Sequence, residues 1–160
     1  MRAFKITLII VLALFILFIV MGMIGIYQQI EYNPEALYVI IFISIGVILG
    51  LAAMLYHIKT FRYYRKSKSR KKVKKVSIFL WIAAVASSVY ILLFSIFAFI
   101  GTFMEPNSVR NAEAFLTKLI LIILFFYGVG SLVEISIVKK RMKKQREEVT
   151  LHDEISEIGS

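Results

Sequence analysis

The sequence lacks cysteine, which excludes disulfide bonds, iron–sulfur clusters, thiolate zinc sites and cysteine nucleophiles. It has only two prolines and only ten acidic residues against twenty Lys and Arg. It contains no G-x-S-x-G, no H-E-x-x-H and no Gly-rich phosphate loop, and its single aspartate, Asp153, stands near the C-terminal end. We therefore expect no enzymatic activity, no cofactor and no metal site.

What the chain does contain is apolar residues in long runs. They make up 59% of the 160 residues, above the roughly 45–50% of a soluble domain. Four runs are each long enough to cross a hydrocarbon core of ~30 Å as a helix, at about 4–27, 36–58, 76–103 and 114–138. The first run is longer than the apolar region of a cleavable signal, so we interpret it as a retained helix. The pattern predicts an all-α integral membrane four-helix bundle over residues 1–138.

The positive charges predict the orientation of this bundle. The N-terminal flank, the loop 59–75 and the tail 139–160 carry 2, 10 and 6 Lys plus Arg. The connection that contains Pro34 carries none, and the one that contains Pro106 carries 2 when Lys118, at the start of the fourth run, is counted with Arg110. Because positive residues stay on the cytoplasmic side, both termini and the loop are expected there. We expect a multi-pass protein of the plasma membrane, and the high Ile and Lys usage favours a bacterial cytoplasmic membrane.

Small residues predict which helix faces pack. Membrane helices associate through small residues and polar contacts, since lipid is as apolar as leucine. At ~100° per residue, each of the last three spans has a small or polar stripe. The candidate packing residues are Gly46, Gly50 and Ala53 on the second span, Ala84, Ser88 and Ser95 on the third, and Gly130 on the fourth. Two interpretations remain open: these stripes form the bundle interior, or the Gly46/Gly50 face docks another chain.

Glu134 is the only acidic residue inside an apolar run, and His57 is expected at a similar depth. An ionisable group in a membrane span is by default a functional hypothesis. A Glu134–His57 pair would form a proton-responsive site. In the alternative, His57 reaches the headgroups and the carboxylate meets a nearby lysine: Lys59, Lys74, Lys75 or Lys139.

The loop 59–75 has ten cations and no acid. Such clusters are attracted to anionic headgroups, so the loop is interpreted as a topology determinant resting on anionic lipid, with an acidic protein partner as the alternative. We expect no nucleic-acid binding, because the loop offers no groove-reading element. The candidate contact residues are Arg62, Arg65, Lys66, Lys68, Arg70, Lys71, Lys72, Lys74 and Lys75.

The tail 139–160 changes from basic to acidic. Leu151, Ile155 and Ile158 follow a helical spacing, so the end of the tail is interpreted either as a short amphipathic helix facing the basic loop or as a disordered segment.

Together these features favour a small non-enzymatic membrane protein that binds another membrane protein, or itself, as an accessory, regulatory or protective subunit. The alternative is an oligomeric small transporter or channel that uses Glu134 and His57. A self-contained transporter is disfavoured, because no ionisable residue and no Gly/Pro-broken helix is expected near the midplane.

Overall fold

A computed structural model describes residues 2–28, 32–64, 76–104 and 112–158. The described chain forms four helices, α1 (Arg2–Tyr27), α2 (Ala36–Thr60), α3 (Ile78–Met104) and α4 (Ala112–Ile158), with a 3₁₀ turn (Phe61–Tyr64) that continues α2. Each of the four helices contains a segment long and apolar enough to cross a membrane. The prediction of an all-helical chain with four apolar helices of membrane-spanning length is thus confirmed for the described residues.

The turn before α2 shows why this helix begins where it does. The Asn33 carbonyl accepts a hydrogen bond from the Ala36 amide at 3.0 Å, and the Asn33 side-chain oxygen accepts one from the Glu35 amide at 3.1 Å. Pro34 has no amide hydrogen to leave unsatisfied at this position. The Asn-Pro pair therefore closes the first turn of α2.

Helices that are consecutive in the sequence pack against each other. Helix α1 packs on α2, α2 on α3 and α3 on α4, whereas the contact between α1 and α4 is less extensive. Phe4 and Leu8 of α1 approach Gly130 of α4 near the start of α1. We call the end of the bundle where α1 and α3 begin and the 3₁₀ turn lies the basic end.

The buried residues of α2 and α4 follow a four-then-three spacing. This is the spacing with which helices pack at a shallow left-handed crossing angle. On α2 the series is Gly46, Gly50, Ala53, His57, Thr60 and, in the 3₁₀ turn, Tyr64. On α4 it is Leu121, Leu124, Gly128, Ser131, Ile135 and Val138. On α2 this series is small toward the opposite end and polar near the basic end, where it contains His57, Thr60 and Tyr64.

The outer surface of the bundle is covered by large apolar side chains. Phe18, Phe97 and Phe126 are each about two-thirds exposed, and similar residues occur on every helix. In water such a surface would be a strong association site, whereas in hydrocarbon it matches its solvent. This surface is typical of a membrane helical bundle.

The described helices extend further than the apolar runs at two places. Helix α2 and the 3₁₀ turn continue to Tyr64, so the first residues assigned to the basic loop are helical. Helix α4 continues through the tail to Ile158. Because no glycine or proline occurs between Gly130 and Gly159, nothing in the local sequence interrupts this helix. The predicted contact of the tail with the loop lies outside the described residues.

Candidate functional site

A buried ion pair joins the first and last helices near the basic end. Lys5 on α1 and Glu134 on α4 are both fully buried, and the Lys5 Nζ lies 2.5 Å from the Glu134 Oε1. Lys5 also donates to the Thr60 hydroxyl at 2.5 Å. The Thr60 hydroxyl can accept this bond because it donates its own hydrogen to the Tyr56 carbonyl at 2.7 Å. A charged lysine inside an apolar bundle requires such a set of acceptors.

Tyr64 closes the ion pair from the 3₁₀ turn. Its hydroxyl donates to the Glu134 Oε1 at 3.2 Å, and the Lys5 Nζ lies 4.8 Å from the centroid of its ring. The ring therefore contributes a cation–π contact in addition to the hydrogen bond.

His57 faces the second oxygen of the same carboxylate. Its Nδ1 lies 3.3 Å from the Glu134 Oε2, and its Nε2 lies 3.4 Å from the Ser131 hydroxyl. Among the described residues, neither Nδ1 nor Oε2 has a well-oriented hydrogen-bond partner. The His57 ring and the Glu134 carboxylate are therefore in close contact without a well-oriented hydrogen bond. We use the name ion cluster for Lys5, His57, Thr60, Tyr64, Ser131 and Glu134.

The polar contacts extend from the ion cluster onto the remaining helix, α3. The Ser131 hydroxyl lies 2.8 Å from the Ser88 hydroxyl, which in turn lies 2.8 Å from the Ala84 carbonyl. All four helices thus contribute a side chain to one connected set of polar contacts.

Two arginines cover the ion cluster at the basic end. The Arg2 Nε donates to the Tyr64 carbonyl at 2.8 Å, and the Arg141 Nη1 donates to the Tyr63 carbonyl at 3.5 Å. The last carbonyls of a helix have no partner within it, and they carry partial negative charge. The two guanidinium groups satisfy these carbonyls and fix the start of α1 and the middle of α4 to the end of α2.

The chemical capacity of this site is proton exchange and charge pairing. Lys5, His57 and Glu134 have no exposed surface, so a substrate would have to displace part of the bundle to reach them. Two apolar grooves lie elsewhere, toward the opposite end. One, of about 320 Å³, lies between α3 and α4, and the other, of about 410 Å³, lies between α2 and α3. No group of three potential metal ligands occurs among the described residues.

The structure brings together the two residues that the sequence singled out, His57 and Glu134. The cation paired with the carboxylate is Lys5, and not Lys59 or Lys139 as predicted from the sequence. The Lys139 Nζ lies instead 5.4 Å from the ring of Trp81. The other two lysines offered as partners, Lys74 and Lys75, lie outside the described residues.

The candidate packing residues lie within the chain's own bundle. A Cβ on Gly46 would lie 2.6 Å from the ring of Tyr90, and one on Gly50 would lie 3.2 Å from Ile16. Without a Cβ at Gly46, the Tyr90 hydroxyl reaches α2 and donates to the Phe42 carbonyl at 3.0 Å. Buried alongside them are Ala53, Ala84, Ser88 and Ser95. Docking of a second chain on the Gly46/Gly50 face would therefore require α1 or α3 to move away.

Of the basic contact candidates, Arg62 lies in the described part of the chain, where its guanidinium lies 5.4 Å from the ring of Tyr63. The other eight, between residues 65 and 75, lie outside it.

Sequence reasoning missed Lys5 and Tyr64. Lys5 was counted as a positive flank of the first span, although its spacing from Leu8 and Leu12 places the three on one helix face. The signal for Lys5 is its place on the face of α1 that carries Leu8 and Leu12, at the same end of the bundle as Glu134.

The described residues form a bundle of four helices, each long and apolar enough to span a membrane, with a buried ion cluster near the basic end. Comparison of the chain with protein-family models, with curated proteins and with solved structures finds no match.

Proposed function

We propose that this chain is a non-enzymatic, multi-pass membrane protein that acts by binding another membrane protein, as an accessory, regulatory or protective subunit. The observation that carries this proposal is that the ion cluster is closed by the chain's own side chains, whereas the described grooves are apolar and open to the outside of the bundle. A protein with this arrangement offers its outer surface for recognition.

The proposal places the chain in the plasma membrane, a bacterial cytoplasmic membrane being favoured, with both termini on the cytoplasmic side. Its support is the distribution of Lys and Arg, which are concentrated at the basic end and in the flanking segments.

The groove between α3 and α4 is the surface best suited to a partner helix. It runs between Ser95 and Ile100 on one helix and between Leu121 and Phe126 on the other, and its lining is almost entirely apolar. A transmembrane helix of a partner fits such a groove through close packing, which drives helix association in lipid.

Photo-crosslinking in native membranes tests this proposal. A photoreactive residue would replace Phe126 at the α3–α4 groove, Phe97 at the α2–α3 groove, or Phe18 on α1 as a control of equal exposure. We expect Phe126 or Phe97, but not Phe18, to give one discrete adduct with a protein that also co-purifies in mild detergent. The absence of protein adducts at both grooves would contradict the proposal.

The second candidate is an oligomeric transporter or channel that uses Glu134 and His57. It is favoured by the row of polar atoms that leads from the Glu134 carboxylate through His57 and Ser131 to Ser88. A row of this kind is a familiar route for protons within membrane proteins.

Proton flux into liposomes that contain only this protein separates the two candidates. Transport predicts a flux that Glu134→Gln abolishes while an exposed control, Glu147→Gln, leaves it unchanged. The binding proposal predicts no flux above that of empty liposomes.

A further inference from the structure

Three arginines from three different elements contact the same pair of residues at the basic end. Arg2 belongs to α1, Arg62 to the 3₁₀ turn and Arg141 to α4. All three contact the adjacent tyrosines Tyr63 and Tyr64. Arg2 and Arg141 donate hydrogen bonds to the tyrosine carbonyls, Arg141 also lies over the Tyr64 ring, and Arg62 lies over the Tyr63 ring. Residues that are far apart in sequence are thus collected around one dipeptide.

The contacts hold two of these arginines in defined positions. The Arg2 Nε donates to the Tyr64 carbonyl, which fixes the head of its side chain. The Arg141 guanidinium lies 4.5 Å from the centroid of the Tyr64 ring and donates to the Tyr63 carbonyl. Long side chains that are already ordered lose less conformational entropy when they bind a ligand.

The chemistry of this surface suits a phosphate group. Guanidinium groups bind phosphate through paired N–H donors, and several of them around one anion give both affinity and geometric specificity. Aromatic residues at the same end, Tyr63 and Trp81, are typical of the boundary between hydrocarbon and headgroups. The phosphates of lipids lie at this boundary.

The positive charge of the surrounding sequence indicates which kind of lipid headgroup this surface prefers. The N-terminal flank, the loop 59–75 and the tail contain eighteen of the twenty Lys and Arg residues, and the chain has a formal net charge of +10. A surface of this sign is attracted to anionic and not to zwitterionic headgroups.

We propose that Arg2, Arg62 and Arg141 form a discrete binding site for the phosphate of an anionic phospholipid at the basic end of the bundle. The site differs from diffuse attraction of the basic segments because it depends on these three positions and not on charge number alone. It does not depend on the partner protein proposed above.

Tyr64 connects this surface to the ion cluster. Its carbonyl and ring contact the arginines, and its hydroxyl donates to Glu134. A lipid that holds Arg2 and Arg141 in place also holds the start of α1 against α4. Anionic lipid is therefore expected to raise the unfolding temperature of the whole bundle.

Native mass spectrometry of the full chain tests the site. The protein would be released from nanodiscs that contain equal amounts of phosphatidylglycerol and phosphatidylcholine, and the retained lipids would be counted. We expect phosphatidylglycerol to be retained preferentially. Arg141→Gln or Arg62→Gln should each lower this preference about fivefold, the factor that corresponds to ~1 kcal/mol for one cation near the surface.

Arg146→Gln is the matched control, since it removes the same charge from α4 five residues further along. Diffuse attraction would make Arg146→Gln and Arg141→Gln equivalent, and this result would overturn the proposal. Equal retention of both lipids by the unchanged protein would also overturn it. If Arg141→Gln loses helical circular dichroism, Arg62→Gln carries the comparison, because the Arg62 side chain is exposed.

Two further measurements distinguish a lipid phosphate from a free anion and from an acidic protein as the ligand. If millimolar inorganic phosphate raises the unfolding temperature in phosphatidylcholine nanodiscs as much as phosphatidylglycerol does, the ligand is a free anion and not a lipid. If poly-glutamate displaces the retained phosphatidylglycerol, the surface prefers an acidic protein. Either result contradicts the lipid site, whereas failure of both supports it.

Discussion

At the scale of single residues, the pair of Lys5 and Glu134 joins α1 to α4, whose contact is otherwise less extensive than that of α1 with α2. Both side chains are fully buried, so the free energy of their contact cannot be separated from the cost of taking their charges out of water. Replacing both partners of such a pair by apolar residues changes the free energy of unfolding little. Replacing only one partner lowers it strongly, because the other charge stays buried without a counter-charge. Single and double replacements should therefore differ strongly for this buried pair, whereas they should differ little for an exposed ion pair.

We expect Glu134→Gln to lower the free energy of unfolding by about 3–5 kcal/mol, because it leaves the Lys5 charge buried without a carboxylate. Lys5→Met should cost less, since His57 remains 3.3 Å from the Glu134 Oε2. The double variant Lys5→Met/Glu134→Met should be less destabilised than the sum of the two single variants. Reversible unfolding in detergent, followed by circular dichroism, measures all of these.

The exposed pair Lys143–Glu147 is the control for this comparison. Its two charged atoms lie 3.8 Å apart, and the side chains are 81% and 58% exposed. Breaking it should change the free energy of unfolding by about 0–1 kcal/mol. If the Lys5 and Glu134 variants were equally mild or strictly additive, the ion cluster would not hold α1 to α4.

At the scale of helices, glycine permits close approach at two contacts of α3, and the two contacts differ in what they touch. A Cβ on Gly46 would lie 2.6 Å from the Tyr90 ring, which is a side chain that can turn away. A Cβ on Gly128 would lie 2.5 Å from Leu92 and 3.2 Å from the backbone oxygen of Ser88. The second clash is harder to relieve because the α3 backbone itself would have to shift.

We therefore expect Gly128→Ala to destabilise the bundle by about 1–3 kcal/mol, with Gly46→Ala toward the lower end of that range. Gly101→Ala is the matched control, since a Cβ at Gly101 would meet nothing within 4 Å. There the gain in helix propensity should be neutral or stabilising. The same unfolding measurement ranks the three variants, and a loss at Gly101 as large as at Gly128 would show that close packing is not the cause.

The helices themselves could be predicted from sequence, because four long apolar runs and an Asn-Pro break leave few alternatives. Two features could not be predicted from hydropathy. Burial of Lys5 depends on which face of α1 meets α4, and this contact joins residues 129 positions apart. The continuation of α4 to Ile158 was missed because the change from apolar to charged residues was interpreted as a boundary, although the local sequence contains no helix-breaking residue.

At the scale of the whole molecule, the fold has an even number of helices that are long and apolar enough to span a membrane, so α1 begins and the apolar part of α4 ends at the same end of the bundle. Helix order alone does not decide which side of a membrane this end faces, whereas the distribution of Lys and Arg predicts the cytoplasmic side. The absence of native cysteine makes the question directly measurable, because any introduced cysteine is the only thiol in the chain.

Two exposed positions at opposite ends of the bundle suit this measurement. Tyr32, in the turn before α2, is 87% exposed, and the Lys143 side chain, on α4 beyond the basic end, is 81% exposed. We expect Tyr32→Cys to react with a membrane-impermeant maleimide in intact cells, and Lys143→Cys to react only after the membrane is opened. Labelling of both in denatured protein confirms that each thiol is present. The reverse pattern would place the basic end outside, and it would remove the cytoplasmic anionic leaflet as the source of the lipid that Arg2, Arg62 and Arg141 are proposed to bind.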